Sequence, residues 1–346
     1  MSRQYTELYL FLTEQCPNRC AYCYIHFNNS SMTKEDIDRY IALYKPSRII
    51  FFGGEPLVRL DLLEYTVLKY YGQIKFQVVT STCANFKEFI EFHKEHPLNE
   101  VQLSWDGFTD SRVDVNGKSI ADKVLKNIYY AIDQGLHFDV KTVINNENIQ
   151  DLSKIHDLFK EWKNKGLPAN GQFVIAHGED YSDQFYIELE KQLPYTFDLD
   201  KMYIEHMNKI NAYLNHDYSY ASCNIGKYIT VNPDGCENIC TAMSQYRFNL
   251  GSEVSQRRCK HPDCNDCQYS YLCDGGCRYE RYLKYREKWQ EGHLNCTCRI
   301  VSIFAKTIEN FLNGLDSEGQ KKLLDALIRF KKWNYERYNI LQGGKR

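Results

Sequence analysis

Ten of the fourteen cysteines in this 346-residue chain fall between positions 223 and 298, and three of the other four lie between 16 and 23. A segment that dense in Cys, with Gly and Pro in place of apolar periodicity, folds around bonds to sulfur, either disulfides or metal. The start, MSRQYTELYLFLTEQC, lacks a basic stretch followed by a long apolar run, and no run elsewhere is long enough to span a bilayer. Without an export signal, metal binding or redox chemistry explains the thiols better than disulfides do, and a cytoplasmic, unanchored protein is expected.

Hydrophobic residues at 43% and charged residues at 25% are ordinary for a globular chain, and a net charge of −2 gives no broad electrostatic grip on nucleic acid. The first half alternates β-rich apolar runs with helical stretches, the pattern of βαβ units around a parallel sheet. Expected strands are Leu8–Leu12, Arg48–Phe52, Phe76–Thr80, Val101–Trp105, Phe138–Val143 and Gln172–Ala176. Expected helices include Thr33–Tyr44, opened by a Thr-x-x-Asp box, and Ile120–Gln134. Six such units are too few for a closed eight-fold barrel, so the fold class is α/β with a partial (β/α)6 barrel, its active site at the C-terminal ends of the strands. Residues 1–220 are expected to hold the barrel and linking helices, 221–304 a loop-rich cysteine domain, and 305–346 a helical tail.

Directly after the first strand stands Cys16-Pro-Asn-Arg-Cys20-Ala-Tyr22-Cys23. Three close thiolates can hold three irons of a [4Fe–4S] cube and leave the fourth without a protein ligand. Zinc ribbons instead pair one C-x2-C with a second such pair or two histidines. The second strand ends in Gly53-Gly54-Glu55-Pro56, where glycines admit close backbone approach and carbonyls and a carboxylate suit an ammonium group. The fourth ends in Ser104-Trp105-Asp106-Gly107, whose last two residues serve equally as a plain turn.

These motifs together resemble the signature of the radical S-adenosylmethionine superfamily. The resemblance implies that S-adenosylmethionine chelates the open iron and is cleaved to a 5′-deoxyadenosyl radical that takes a hydrogen atom from substrate. It further implies that Tyr22 lies against the adenine, that Gly53, Gly54, Glu55 and Pro56 contact the methionine amino group, and that Ser104 approaches the ribose and carboxylate. Thr82-Cys83-Ala84-Asn85 departs from the T-N-G run of many relatives, and Cys83 reads as a structural thiol.

The later cysteines, Cys223 and Cys240, then Cys264-x2-Cys267-x5-Cys273-x3-Cys277, then Cys296-Thr-Cys298, resemble the SPASM domain of radical enzymes that modify peptides and proteins. That resemblance implies two auxiliary iron–sulfur clusters. Cys223, Cys240 and Cys277 would hold the first, with Cys236, Cys259 or an open iron completing it. Cys264, Cys267, Cys273 and Cys298 would hold the second, with Cys296 as fallback. A zinc knuckle is the competing reading of this half alone.

The architecture implies an oxidoreductase that matures a short ribosomal precursor peptide by a thioether or carbon–carbon crosslink, reduced by a flavodoxin or ferredoxin. About seven residues precede the first strand, so either a separate leader-recognition protein or direct contact with the core peptide is expected, with neither nucleic acid nor membrane as partner. The alternatives are formylglycine formation on a protein Cys or Ser, dehydrogenation of a small molecule, and a non-catalytic metal-binding module. In the sulfatase branch an Asp follows the cysteine that Cys240 matches, whereas Thr241 stands here.

Overall fold

The computed structural model describes residues 6–109, 111–176, 180–217, 228–246, 261–273, 275–288 and 290–339. By contact density the chain forms two compact units that interleave along the sequence. The first takes the described residues of Met1–Thr142, Gly166–Asn170 and Asn224–Ser255, and the second those of Val143–Lys165, Gly171–Cys223 and Gln256–Arg346.

The sheet begins with β1 (Glu7–Thr13), whose Leu8, Leu10, Phe11 and Leu12 are all fully buried, as a strand covered on both faces requires. It continues through β2 (Arg48–Gly53), β3 (Lys75–Thr80), β4 (Glu100–Ser104), β5 (Phe138–Ile144) and β6 (Ala169–Ile175), laid side by side in chain order. β1 to β5 are parallel throughout. Intervening helices are α1 (Lys34–Tyr44), α2 (Leu60–Tyr70), α3 (Phe86–Glu95), α4 (Ala121–Asp133) and α5 (Leu152–Asn164). Thr33 caps α1 in a reciprocal box with Asp36.

The sheet also has two strands absent from the sequence expectation. β7 (Tyr228–Val231) pairs parallel with the free side of β1, and β8 (Glu237–Asn238) pairs antiparallel with β7. β1 is therefore an interior strand. In the second unit α6 (Asp183–Gln192) and α7 (Ile204–Asn215) stand where linking helices are expected. Short helices α9 (Pro262–Asn265) and α10 (Ser270–Cys273) carry Cys264 and Cys273, and α11 (Arg278–Tyr285) follows Cys277, after α8 (Thr241–Ser244) of the first unit. The tail is α12 (Asn295–Asn313) and α13 (Ser317–Asn339), and Val301 and Ala305 of α12 pack with Ala212 and Leu272. Among the described residues no helix is long and apolar enough to cross a membrane.

Candidate active site

At its C-terminal end β1 opens into a long loop that is tied shut at its base. Thr13 Oγ1 donates to Ser30 O at 2.9 Å, Glu14 N donates to the same oxygen at 3.0 Å, and Met32 N to Leu12 O at 3.0 Å. The cysteine stretch within this loop is fastened to the segment after β4. Arg19 N donates to Val113 O at 2.7 Å, and Val115 N to Pro17 O at 3.2 Å. Cys16, Cys20 and Cys23 therefore stand on backbone whose polar groups are paired locally.

The three thiols are close enough that charge on one disfavours charge on another, but burial is the larger influence. It pushes Cys16 up to about 12, Cys20 to about 11, and Cys23 in the same direction, with Arg112 working against it at Cys20. Ionising them needs a compensating cation, which a bound metal would supply. Cys16 lines a cleft of ≈ 600 Å³ together with Gln15, Asn28, Val58 and Ala84, leaving room for a ligand beside that thiol.

Gly53 and Gly54 are dictated by the neighbouring strand. Gly53 has φ +134°, and a Cβ there would fall 2.3 Å from Thr13 O; a Cβ on Gly54 would fall 2.2 Å from Gln15 O. The space is taken by hydrogen bonds, Gly54 N to Thr13 O and Glu55 N to Gln15 O, both 2.8 Å. Pro56 is buried and opens a short 3-10 turn that Glu55 caps.

Glu55 is 1% exposed and accepts from Thr80 Oγ1 (2.6 Å), Ser81 N (2.8 Å), Ser81 Oγ (2.5 Å) and Leu57 N (3.2 Å). A carboxylate has about four acceptor sites, so protein donors fill them, and an ammonium ligand here would look to backbone carbonyls instead. Burial nevertheless raises its pKa. Asn18, between the first two cysteines, donates to Ser81 Oγ at 2.7 Å and so links the cysteine loop to the same network.

Tyr22 donates its hydroxyl to Asp106 Oδ2, and Arg112 Nε lies 2.8 Å from that oxygen. Asp106 is 2% exposed, so the Asp-Gly pair is more than a turn. Ser104 is the last residue of β4, half-buried and in register with Lys141. Cys83 donates weakly to Ser81 O at 3.4 Å. Arg112, Asn18 and Ser81 escaped the sequence reading. The available signal was a lone Arg shortly after an Asp-Gly, and a polar residue at a strand end.

Of the expected auxiliary ligands, Cys264, Cys267, Cys273 and Cys298 line one small cavity of the second unit, together with His293. His293 Nε2 lies 3.3 Å from Cys298 Sγ. Cys296, in the first turn of α12, is absent from that lining. Cys240 precedes α8 in the first unit and Cys277 precedes α11 in the second. Cys223 and Cys259 lie outside the described residues.

Residues 10–159 match the Radical SAM superfamily. The chain is 29% identical over 161 residues to Fe-coproporphyrin III synthase of Methanosarcina barkeri (strain Fusaro / DSM 804), covering 44% of this chain but only 40% of that protein. It is 25% identical over 286 residues to GTP 3',8-cyclase of Clostridium botulinum (strain Okra / Type B1), covering 75% and 83%. Among solved structures, anSMEcpe with bound AdoMet aligns with a TM-score of 0.68 at 18% identity, covering 92% of this chain and 97% of that one. SuiB of Streptococcus suis bound to precursor peptide SuiA aligns with a TM-score of 0.53 at 13% identity, covering 84% and 75%. At such identities these two are likenesses of fold, the partial barrel of radical S-adenosylmethionine proteins.

Proposed function

Because residues 10–159 form a radical S-adenosylmethionine domain, with that family's [4Fe–4S] cluster and S-adenosylmethionine as cofactors, we propose that the chain is a peptide maturase forming a thioether or carbon–carbon crosslink in a short ribosomal precursor. When bound, the cofactor pair supplies a 5′-deoxyadenosyl radical able to take a hydrogen atom from an unactivated carbon.

The observation that carries the reading is that the loop bearing Cys16, Cys20 and Cys23 is joined at its base, through Thr13 and Gln15, to the Gly54 and Glu55 backbone at one end of the sheet, with Cys16 lining a cleft of ≈ 600 Å³. The thiols would hold the cluster. The glycine backbone would receive the methionine end of the cofactor, and Tyr22, held by Asp106, would flank its adenine. Ser104 would approach the ribose.

A peptide substrate is favoured by the thiol-rich second unit, whose Cys264, Cys267, Cys273 and Cys298 would hold one auxiliary cluster. Cys223, Cys240 and Cys277 would contribute to another. The anSMEcpe fold has been solved with the Cp18Cys peptide and the SuiB fold with SuiA. Crosslinking is preferred to formylglycine formation because a hydroxyl stands where the sulfatase branch has a carboxylate. Tyr24 donates to that hydroxyl, Thr241 Oγ1, at 3.3 Å. A flavodoxin or ferredoxin would supply electrons, and a separate protein could present the leader.

The test is anaerobic reconstitution with iron and sulfide, reduction in the presence of S-adenosylmethionine, and assay for 5′-deoxyadenosine, followed by incubation with candidate peptides. A crosslinked product has lost two hydrogens and carries no aldehyde. A hydrazide-reactive aldehyde would instead establish formylglycine chemistry, and no 5′-deoxyadenosine at all would end the enzymatic reading.

A further inference from the structure

Arg112 belongs to none of the motifs read from the sequence, yet its side chain is only 13% exposed and reaches the cysteine loop from beyond β4. Nη1 lies 3.6 Å from Cys20 Sγ, while Nε lies 2.8 Å from Asp106 Oδ2. The same carboxylate oxygen accepts the Tyr22 hydroxyl, and the guanidinium carbon is 5.6 Å from the centroid of the Tyr22 ring. One cation thus contacts both a thiol of the cluster-binding triplet and the group that anchors its neighbouring aromatic.

We propose that Arg112 is a positioning residue of the catalytic centre: through a charged N–H···S hydrogen bond it fixes the Cys20 sulfur and raises the reduction potential of the cluster held there. The inference rests on reading Cys16, Cys20 and Cys23 as that cluster's ligands. Arg stays protonated at any working pH, so the donated charge is constant. Adding an electron makes the cluster more negative, and hydrogen bonds to its sulfurs favour that state.

Asp106 opposes the effect, but distance decides the sign. The guanidinium touches the sulfur, whereas the carboxylate holds the guanidinium at Nε, and Coulomb attraction falls with separation. The planar fork is what allows one side chain to engage Asp106 and Cys20 together. A lysine, as a point charge on a flexible stem, cannot reproduce both contacts.

The measurement is a redox titration of the full-length, anaerobically reconstituted protein. It follows the paramagnetic signal of the reduced cluster that changes shape on adding S-adenosylmethionine, which identifies the N-terminal cluster. With iron content unchanged, Arg112→Met is expected to hold about a tenfold smaller reduced fraction at a fixed poise, or about 59 mV for a one-electron couple. Arg112→Lys should fall between it and wild type, and Asp106→Asn should move the midpoint upward. If Arg112→Met fails to assemble the cluster, the opposite shifts of Arg112→Lys and Asp106→Asn still carry the test. Midpoints indistinguishable from wild type in variants with full iron would overturn the inference. So would an Asp106→Asn shift in the same direction as the arginine variants. A wild-type protein with no cofactor-sensitive signal would instead overturn the ligand reading, and the inference with it.

Discussion

The loop bearing Cys16, Cys20 and Cys23 hangs from a largely buried strand and is laced by backbone hydrogen bonds to residues 111–115. Cys264 and Cys273 instead sit in helices of four residues, with Cys267 on the turn between them and Cys298 on the first turns of α12. Isolated helices that short do not hold themselves together in water. The difference teaches that similar thiol chemistry can rest on two kinds of support. In the first unit the protein places the sulfurs and leaves a cleft of ≈ 600 Å³ beside Cys16; in the second the sulfurs line about 20 Å³, and metal is what would organise the chain.

The sharpest way to break that comparison is to remove the metal. Chelating iron from the reconstituted protein, or replacing Cys264, Cys267 and Cys273 by alanine, should abolish hydrogen-exchange protection over α9 to α11. Metal ligation in small metal-organised folds contributes on the order of 10 kcal/mol of folding free energy. Replacing Cys16, Cys20 and Cys23 should abolish 5′-deoxyadenosine formation yet shift the stability of the β1 to β4 region by only about 1 kcal/mol. Equal losses of protection in both regions would show that the first loop is metal-organised too.

A glycine pair sharpens the same contrast with smaller effects. Gly54→Ala drives a Cβ to 2.2 Å from the Gln15 carbonyl oxygen, a backbone atom tied to its neighbours, and should cost about 3 kcal/mol in urea unfolding. Gly276→Ala meets the Thr297 side chain at 3.2 Å at φ +86°. The Thr297 and Leu294 side chains must give slightly and the left-handed backbone is strained, for about 1 kcal/mol in all. A larger loss at Gly276 than at Gly54 would reverse the assignment of rigid and adaptable support.

How legible each region is in the sequence follows the same division. β1 to β6, α1 and α4 could be read because buried strands and amphipathic helices carry their periods in the residues themselves, and Thr33 and Asp36 mark a helix start within four positions. The strand Tyr228–Val231 was hidden: it is four residues long, stands among cysteines, and is defined by its partner β1 far away in sequence. Arg112 and Asn18 were hidden for a related reason. Their meaning lies in Cys20, Asp106 and Ser81, and no local pattern announces a contact across the sheet end. The occupied carboxylate of Glu55 is likewise a fact of tertiary structure, since the residue type alone permits a ligand contact as well as four internal ones.

The smallest expected effect tests which thiol completes the C-terminal set. Cys298 lines the cavity with Cys264, Cys267 and Cys273, and Cys296 does not, so Cys296→Ser should retain wild-type iron and sulfide per chain. Cys298→Ser should lose only part of it, because His293 Nε2 lies 3.3 Å from that sulfur and imidazole can replace thiolate on cluster iron. Combining Cys298→Ser with His293→Ala removes both donors, and the iron loss should then match that of Cys273→Ser. If Cys296→Ser loses iron while Cys298→Ser does not, the geometry at the start of α12 selects the other sulfur, and the second region is more plastic than its four converging thiols imply.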